Sequence, residues 1–272
     1  GKITNDGTSE SFKINNEYTF QYYPEGISVY KNELYYTFTF AARCYVNKCD
    51  LNLENCWTTQ LPIGVGPSLI RPYNDSLYFL VATSLMVSDL TYGAVHPLGP
   101  SYGAWGYREI LRSGIRCLDI YQDSIYFLTT TDSLFKRSIS TGEEVGVGPM
   151  GSGSVKEFKI NTDDGKIYLV TDLNNIVRYN IDGTIGELVS SGSYEGFSFD
   201  YVNNKIVTIE DGVMVSMDYD GSNLATVKDF SSSSDYKISS TDQVYNWTKD
   251  YKVYKYKTLI GLENKVWTYY IE

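Results

Sequence analysis

The chain has 272 residues, 42% of them hydrophobic, and 33 acidic against 23 basic side chains leave a net charge of −10. That balance opposes a surface that tracks phosphates or docks on anionic lipid, and no apolar run approaches the roughly 18 residues of a membrane helix. There are 26 tyrosines but a single histidine, His96; Tyr suits half-buried strands, and one His leaves no His pair for metal or acid–base chemistry.

From the N-terminus, residues 1–11, "GKITNDGTSES", read as a flexible polar tail. Beyond them an Ile/Leu-Tyr step recurs: "ELYYTFTF" at Glu33, "SLYFLVAT" at Ser76, "SIYFLTTT" at Ser124, "KIYLVTDL" at Lys166, "KIVTIEDG" at Lys205 and "QVYNWTKD" at Gln243. The anchor positions Tyr35, Tyr78, Tyr126, Tyr168, Val207 and Tyr245 are spaced 43, 48, 42, 39 and 38 residues apart. Before each anchor stands a turn rich in Asn, Asp or Gly, residues that tolerate positive φ and favour hairpins. A short strand precedes the turn, as in "GISVYK", "RCLDIY" and "EFKINT". A third strand follows the anchor, as in "NIVRYNI" and "VMVSMDY", and then a less regular fourth.

Four short strands per repeat of ~42 residues make a propeller blade, and no segment shows the 3.6-residue apolar period of a helical solenoid. The predicted fold is all-β: one six-bladed β-propeller with four-stranded antiparallel blades, residues 1–272 forming a single domain. "SFKINNEYTFQYY" is predicted to pair beside the C-terminal blade, where "KVWTYYIE" competes for the same place, because ring closure removes an open edge.

The segments "IYLVTDLNNIVRYNIDGT" and "GVMVSMDYDGSNLATVKDF" resemble the blade pattern of the low-density-lipoprotein-receptor YWTD propellers. The similarity runs from Asp123 to Phe230 and rests on Tyr168, Thr171 and Asp172 in one anchor strand and on the turns Asp182-Gly183 and Asp220-Gly221. Trp is absent from every anchor strand except for Trp247. The resemblance implies six blades and an extracellular binding role, and transfers no ligand or contact residue.

No catalytic signature emerges. "GVGPMG" at Gly146 formally matches a dinucleotide loop, but strand-like sequence follows where a helix is required; with "GVGP" at Gly64 it reads as an inter-blade turn. The carboxylate pairs, such as Asp163-Asp164 and Asp218 with Asp220, sit in turns where Asp bonds its own backbone. No G-x-S-x-G elbow accompanies the abundant Ser, and His96 reads as structural or exposed. The enzymatic alternative is a metal-dependent hydrolase whose site lines a central channel, with Asp119, Asn161 and Asp200 on the inner strands. No cofactor is predicted.

Three of the four cysteines cluster in "CYVNKCDLNLENC". Cys49 and Cys56 are predicted across one hairpin, a suitable place for a disulfide; Cys44 is an alternative partner for either, and Cys117 is a buried thiol or the partner of whichever remains. Asn74 and Asn246 head glycosylation sequons. With the clustered cysteines, and a start at Gly1 that fits a removed leader or a tag remnant, these point to a secreted or cell-surface protein. Partner contacts are expected on loops between blades. "PLGPSYGAWGY" is the strongest such loop, with Tyr102, Trp105 and Tyr107 as aromatic anchors; Tyr194 and Tyr236 occupy comparable positions. The function expected is a non-catalytic extracellular module that binds a protein, with no nucleic-acid or membrane partner. The alternatives are a glycan-binding lectin and a structural subunit of an extracellular assembly.

Overall fold

A computed structural model of the protein describes residues 2–4, 10–11, 23–31, 33–40, 43–50, 57–61, 69–81, 83–89, 107–111, 114–149, 154–184, 186–201, 203–211, 213–229, 237–241, 244–249, 252–261 and 265–270. Every regular element among them is a strand. Two short strands, β1 (Lys2–Thr4) and β2 (Glu10–Ser11), come first. Next are β3 (Tyr23–Tyr30), β4 (Glu33–Phe40), β5 (Arg43–Asp50) and β6 (Trp57–Leu61). They are followed by β7 (Leu69–Tyr73), β8 (Ser76–Val81), β9 (Ser84–Asp89) and β10 (Tyr107–Leu111). β11 (Ile115–Tyr121), β12 (Ser124–Thr129), β13 (Ser133–Ser138) and β14 (Glu144–Pro149) come next. Then come β15 (Val155–Asn161), β16 (Lys166–Thr171), β17 (Ile176–Asn180) and β18 (Glu187–Ser190). β19 (Tyr194–Asp200), β20 (Lys205–Glu210), β21 (Val213–Asp218) and β22 (Ala225–Asp229) follow. The last are β23 (Lys237–Thr241), β24 (Val244–Lys249), β25 (Lys252–Gly261) and β26 (Lys265–Tyr270).

The described strands form five four-stranded sheets, β3 to β6, β7 to β10, β11 to β14, β15 to β18 and β19 to β22, and one six-stranded sheet ordered β2-β1-β26-β25-β24-β23. Repeated four-stranded antiparallel meanders are the pattern of a β-propeller, and that is the fold. Each sequence anchor lies in the second strand of its sheet. By compactness the chain divides into a larger unit, Gly1–Gln21 with Asp132–Lys136 and Glu144–Glu272, and a smaller one, Tyr22–Thr131 with Arg137–Glu143.

Burial explains the anchor motif. Leu77 to Leu80 in β8, Ile167 to Val170 in β16 and Ile206 to Ile209 in β20 are buried without alternation. A strand with one wet face alternates, whereas one covered on both faces is apolar throughout, so these sheets are covered on both faces. In the smaller unit Tyr35, Cys44 and Val46 of one sheet pack against Ile70, Leu77 and Phe79 of the next. In the larger unit Tyr168, Val170 and Ile176 pack against Phe197, Phe199 and Ile206 in the same way. Burying each such side chain contributes about 1.5–3 kcal/mol.

The hairpin turns bear out their composition. Tyr73 pairs with Ser76 and Tyr121 with Ser124, which leaves two-residue turns at Asn74-Asp75 and Gln122-Asp123. All four turn residues have positive φ, between 44° and 59°, as a type I′ turn demands.

Three expectations are corrected. The stretch from Pro97 to Tyr107 does not join two blades: β9 and β10 are neighbours in one sheet, with Tyr107 opposite Ser88. Gly146, Val147 and Gly148 lie inside the outer strand β14, because a fourth strand follows the turn at residues 139–143. Residues 1–11, read as a tail, contribute β1 and β2; β1 pairs with β26 through Lys2 opposite Trp267. An N-terminal strand, residues 2–4, therefore lies beside the C-terminal strand and "KVWTYY" keeps its own place in the sheet, while residues 12–22, most of "SFKINNEYTFQYY", lie outside the described residues.

Candidate functional site

Hydroxyl groups at the ends of first strands organise the turns of the smaller unit. The Tyr30 hydroxyl, at the end of β3, accepts from the Asn74 backbone N–H at 3.1 Å. Tyr73, at the end of β7, accepts in the same way from Asp123 N–H at 3.2 Å. Each hydroxyl thus satisfies an amide in the hairpin turn of the following sheet, and the two rings lie 6.3 Å apart. Asn74 is exposed on its turn, while the second sequon residue, Asn246, lies inside β24 opposite Ser239 and Lys255. Also in this unit, Arg71 on β7 and Asp119 on β11 form an ion pair at 3.0 Å, their side chains 15% and 16% exposed.

In the larger unit an aromatic cluster takes over this task. The Phe199 ring stands 5.1 Å from Tyr168, 5.4 Å from Phe197, 5.7 Å from Tyr201 and 5.9 Å from Tyr219, mostly edge to face, a favoured arrangement for aromatic pairs. Tyr168 donates its hydroxyl to Asp164 Oδ2 at 2.6 Å, and Tyr219 donates to Asp163 Oδ2 at 3.3 Å. Arg178 donates from Nη1 to the Tyr219 carbonyl at 3.0 Å and from Nε to Glu187 at 2.7 Å.

Burial raises the Tyr168 and Tyr219 phenols far above their ordinary 10.0, helped by the carboxylates of Asp164 and Asp163; Tyr35 is raised by burial and by Glu33. The folded chain therefore keeps protons that the unfolded chain releases above pH 10, so this stability is present below that value and falls as pH rises beyond it. In an alkaline absorbance titration these three phenols should ionise only as the protein unfolds. Ionisation of all 26 tyrosines in one reversible step near pH 10 would contradict the geometry.

The opposite ends of these sheets carry the turns between second and third strands. Ile115 N–H donates to Thr83 O at 3.1 Å in the smaller unit. In the larger one Val155 N–H donates to Asp132 Oδ1 at 3.3 Å and Tyr194 N–H to Asn174 O at 3.2 Å. In every case such a turn holds the start of the next sheet's first strand. The turn at 172–175 is further closed by Asn174 N–H to Thr171 O at 2.8 Å and Thr171 N–H to Asn175 O at 3.0 Å, with Asn174 at φ 61°. At its tip Leu173 is 76% exposed, an apolar side chain presented by a rigid turn.

Of the sequence-predicted anchors, Tyr102, Trp105 and Tyr236 lie outside the described residues, as do His96 and Cys56. Tyr107 is the first residue of β10. Tyr194 is corrected: it opens β19, is 1% exposed, and shares a hydrogen bond with Ser190 Oγ at 2.7 Å. Its ring folds over Gly192, where a Cβ would stand 2.5 Å from Tyr194 Cζ, so it packs the core.

The proposed channel residues are partnered at their side-chain oxygens, whereas the buried Asn161 Nδ2 has no hydrogen-bond partner among the described residues. Asp119 pairs with Arg71, Asn161 Oδ1 accepts from Asp163 N–H at 2.9 Å, and Asp200 accepts from Asn203 at both carboxylate oxygens. The sequence reading passed over Tyr30, Tyr73 and Leu173. A Tyr immediately before the hairpin turn at 30, 73 and 121 was the available signal for the first two; nothing local marked Leu173.

No family model matches the sequence, and no curated protein matches it significantly. Among solved structures the chain is similar to a structural-genomics protein of unknown function from Bacteroides thetaiotaomicron VPI-5482, with a TM-score of 0.56 and 12% identity over 94% of this chain and 71% of that one. A computationally designed protein, Ika8, matches with a TM-score of 0.48 and 14% identity over 90% of this chain and 71% of that chain. The first likeness is one of fold.

Proposed function

We propose that residues 1–272 close into a single six-bladed ring that serves, outside the cell, as a non-catalytic binding module for a protein partner. The observation that carries this is Leu173, an exposed apolar side chain on a turn locked by hydrogen bonds on both sides. A preorganised apolar anchor loses little entropy on binding and so favours recognition. The resemblance of residues 123–230 to extracellular YWTD propellers supports the same reading. The acidic balance favours a basic partner.

The test compares wild-type and Leu173→Asp protein as baits against extracellular material, each with its melting temperature measured. A protein retained by the wild type and lost by an equally stable variant supports the reading. Equal retention by both sinks it, and specific signals on a glycan array would replace it with the lectin.

Within this reading Cys49, near the end of β5, is joined to Cys56, just ahead of β6. Cys49 is disulfide-bonded, while the Cys44 and Cys117 thiols are buried. Thiol titration should find no reactive group in the native protein and two after denaturation without reductant. Four thiols after denaturation would exclude the bridge.

A further inference from the structure

We propose that the outer strands of the larger unit form a second interaction surface, which takes a protein segment of alternating basic and apolar side chains. This goes beyond the binding role of the Leu173 turn and does not depend on it. Besides Leu173, three large apolar residues are exposed among the described residues: Val145 at 55%, Leu188 at 61% and Leu224 at 53%. Val145 is the second residue of β14, Leu188 the second of β18, and Leu224 immediately precedes β22. Each therefore follows the turn between third and fourth strands of its sheet.

These residues are linked along one rim. The turn at Gly183 presses on β14, where a Cβ would stand 2.6 Å from the Val147 carbonyl oxygen, and the turn at Gly221 presses still more closely on Val189 of β18, where a Cβ would stand 1.9 Å from the carbonyl oxygen. The path therefore runs from Val145 past the Asp182-Gly183 turn to Leu188, then past Asp220-Gly221 to Leu224. Three exposed apolar side chains on one continuous rim mark an interaction surface.

Charge selects the occupant. Glu144, Asp182 and Asp220 are exposed beside the three apolar side chains, while Glu187 is already paired with Arg178. Hydroxyl hydrogen bonds from Thr184 and Ser222 hold the Asp182 and Asp220 carboxyls below their usual range, so both stay ionised well into acid. A second copy of this chain, also carrying −10, would be repelled. A segment offering Lys or Arg between apolar residues satisfies both features.

The experiment measures fluorescence anisotropy with a short labelled peptide of alternating Lys and Leu, against a Glu–Leu and a Lys–Ser peptide. Wild-type protein should bind the Lys–Leu peptide best, and added salt should weaken the complex. The triple variant Val145→Ser, Leu188→Ser, Leu224→Ser should bind about tenfold or more weakly. Leu188→Ser alone should show a smaller loss, and Leu173→Ser should bind as the wild type does, which separates this surface from the loop site. Unchanged binding by the triple variant, equal binding of the Lys–Ser peptide, or no binding by the wild type would each overturn the proposal.

Discussion

Gly221→Ala is expected to destabilise the protein by about 4 kcal/mol, from about 1–3 kcal/mol of backbone strain and a similar amount of forced repacking. Gly221 sits at φ +87°, and a Cβ there would fall 1.9 Å from the Val189 carbonyl oxygen and 2.8 Å from its carbon. Neither atom is the end of a flexible side chain, so two backbones must separate. The hydrogen bonds of the turn resist that movement: Asp218 N–H donates to Ser222 O at 2.8 Å, and Asp220 Oδ1 accepts from Ser222 N–H at 2.9 Å. Gly183→Ala should cost less, since φ is +80° and the Val147 oxygen is 2.6 Å away. Gly114→Ala is the control for φ alone: φ is +86°, but the nearest atom is a side-chain oxygen at 3.8 Å. Chemical denaturation of the three variants should give that ranking. If Gly221→Ala and Gly114→Ala lose the same stability, the close approach of turn and strand is wrong.

Phe199→Ala should cost about 3–5 kcal/mol, the range for emptying an aromatic site in a packed core. Phe199 is 3% exposed, and four aromatic rings surround it within 5.9 Å. Those rings come from β16 and β19 and from the residues just after β19 and β21, so collapse into the cavity would require several strands to shift together. Phe199→Leu retains most of the volume and should lose less than about 1.5 kcal/mol. A second readout follows from the position of the ring. Its removal lets water reach Tyr168 and Tyr219, whose phenols are raised chiefly by burial. Both should then titrate closer to pH 10 in Phe199→Ala but not in Phe199→Leu. A variant that loses stability and leaves those phenols unchanged would mean the cluster does not exclude water as a unit.

Much of the fold was legible because its signals are local. The runs around Tyr78, Tyr126 and Tyr168 are apolar throughout because each second strand is covered on both faces. The pairs Asn74-Asp75 and Gln122-Asp123 announce two-residue turns because few residues tolerate their φ. Other features were misread for equally physical reasons. A long Gly-rich stretch reads alike whether it joins two blades or two strands of one blade, so Pro97 to Tyr107 was assigned to the wrong connection. Tyr194, behind a Ser-rich run, looked like a loop anchor; it opens a strand, and its ring packs over Gly192 in the core. Residues 2–4 have no strand pattern of their own and gain one from their pairing with β26.

By itself the sequence determined the all-β class, the repeat and the hairpin turns, each dictated by a few adjacent residues. Tertiary structure alone decided which groups meet. Tyr30 reaches a turn 44 residues away, and Tyr73 one 50 residues away. Gly221 is an ordinary turn glycine until β18 is packed against it. The same packing decides which apolar side chains stay in water, so the exposure of Leu173, Val145, Leu188 and Leu224 could be read only once the sheets were stacked. Their composition matches that of buried positions, and only the presence or absence of a neighbouring sheet separates the two.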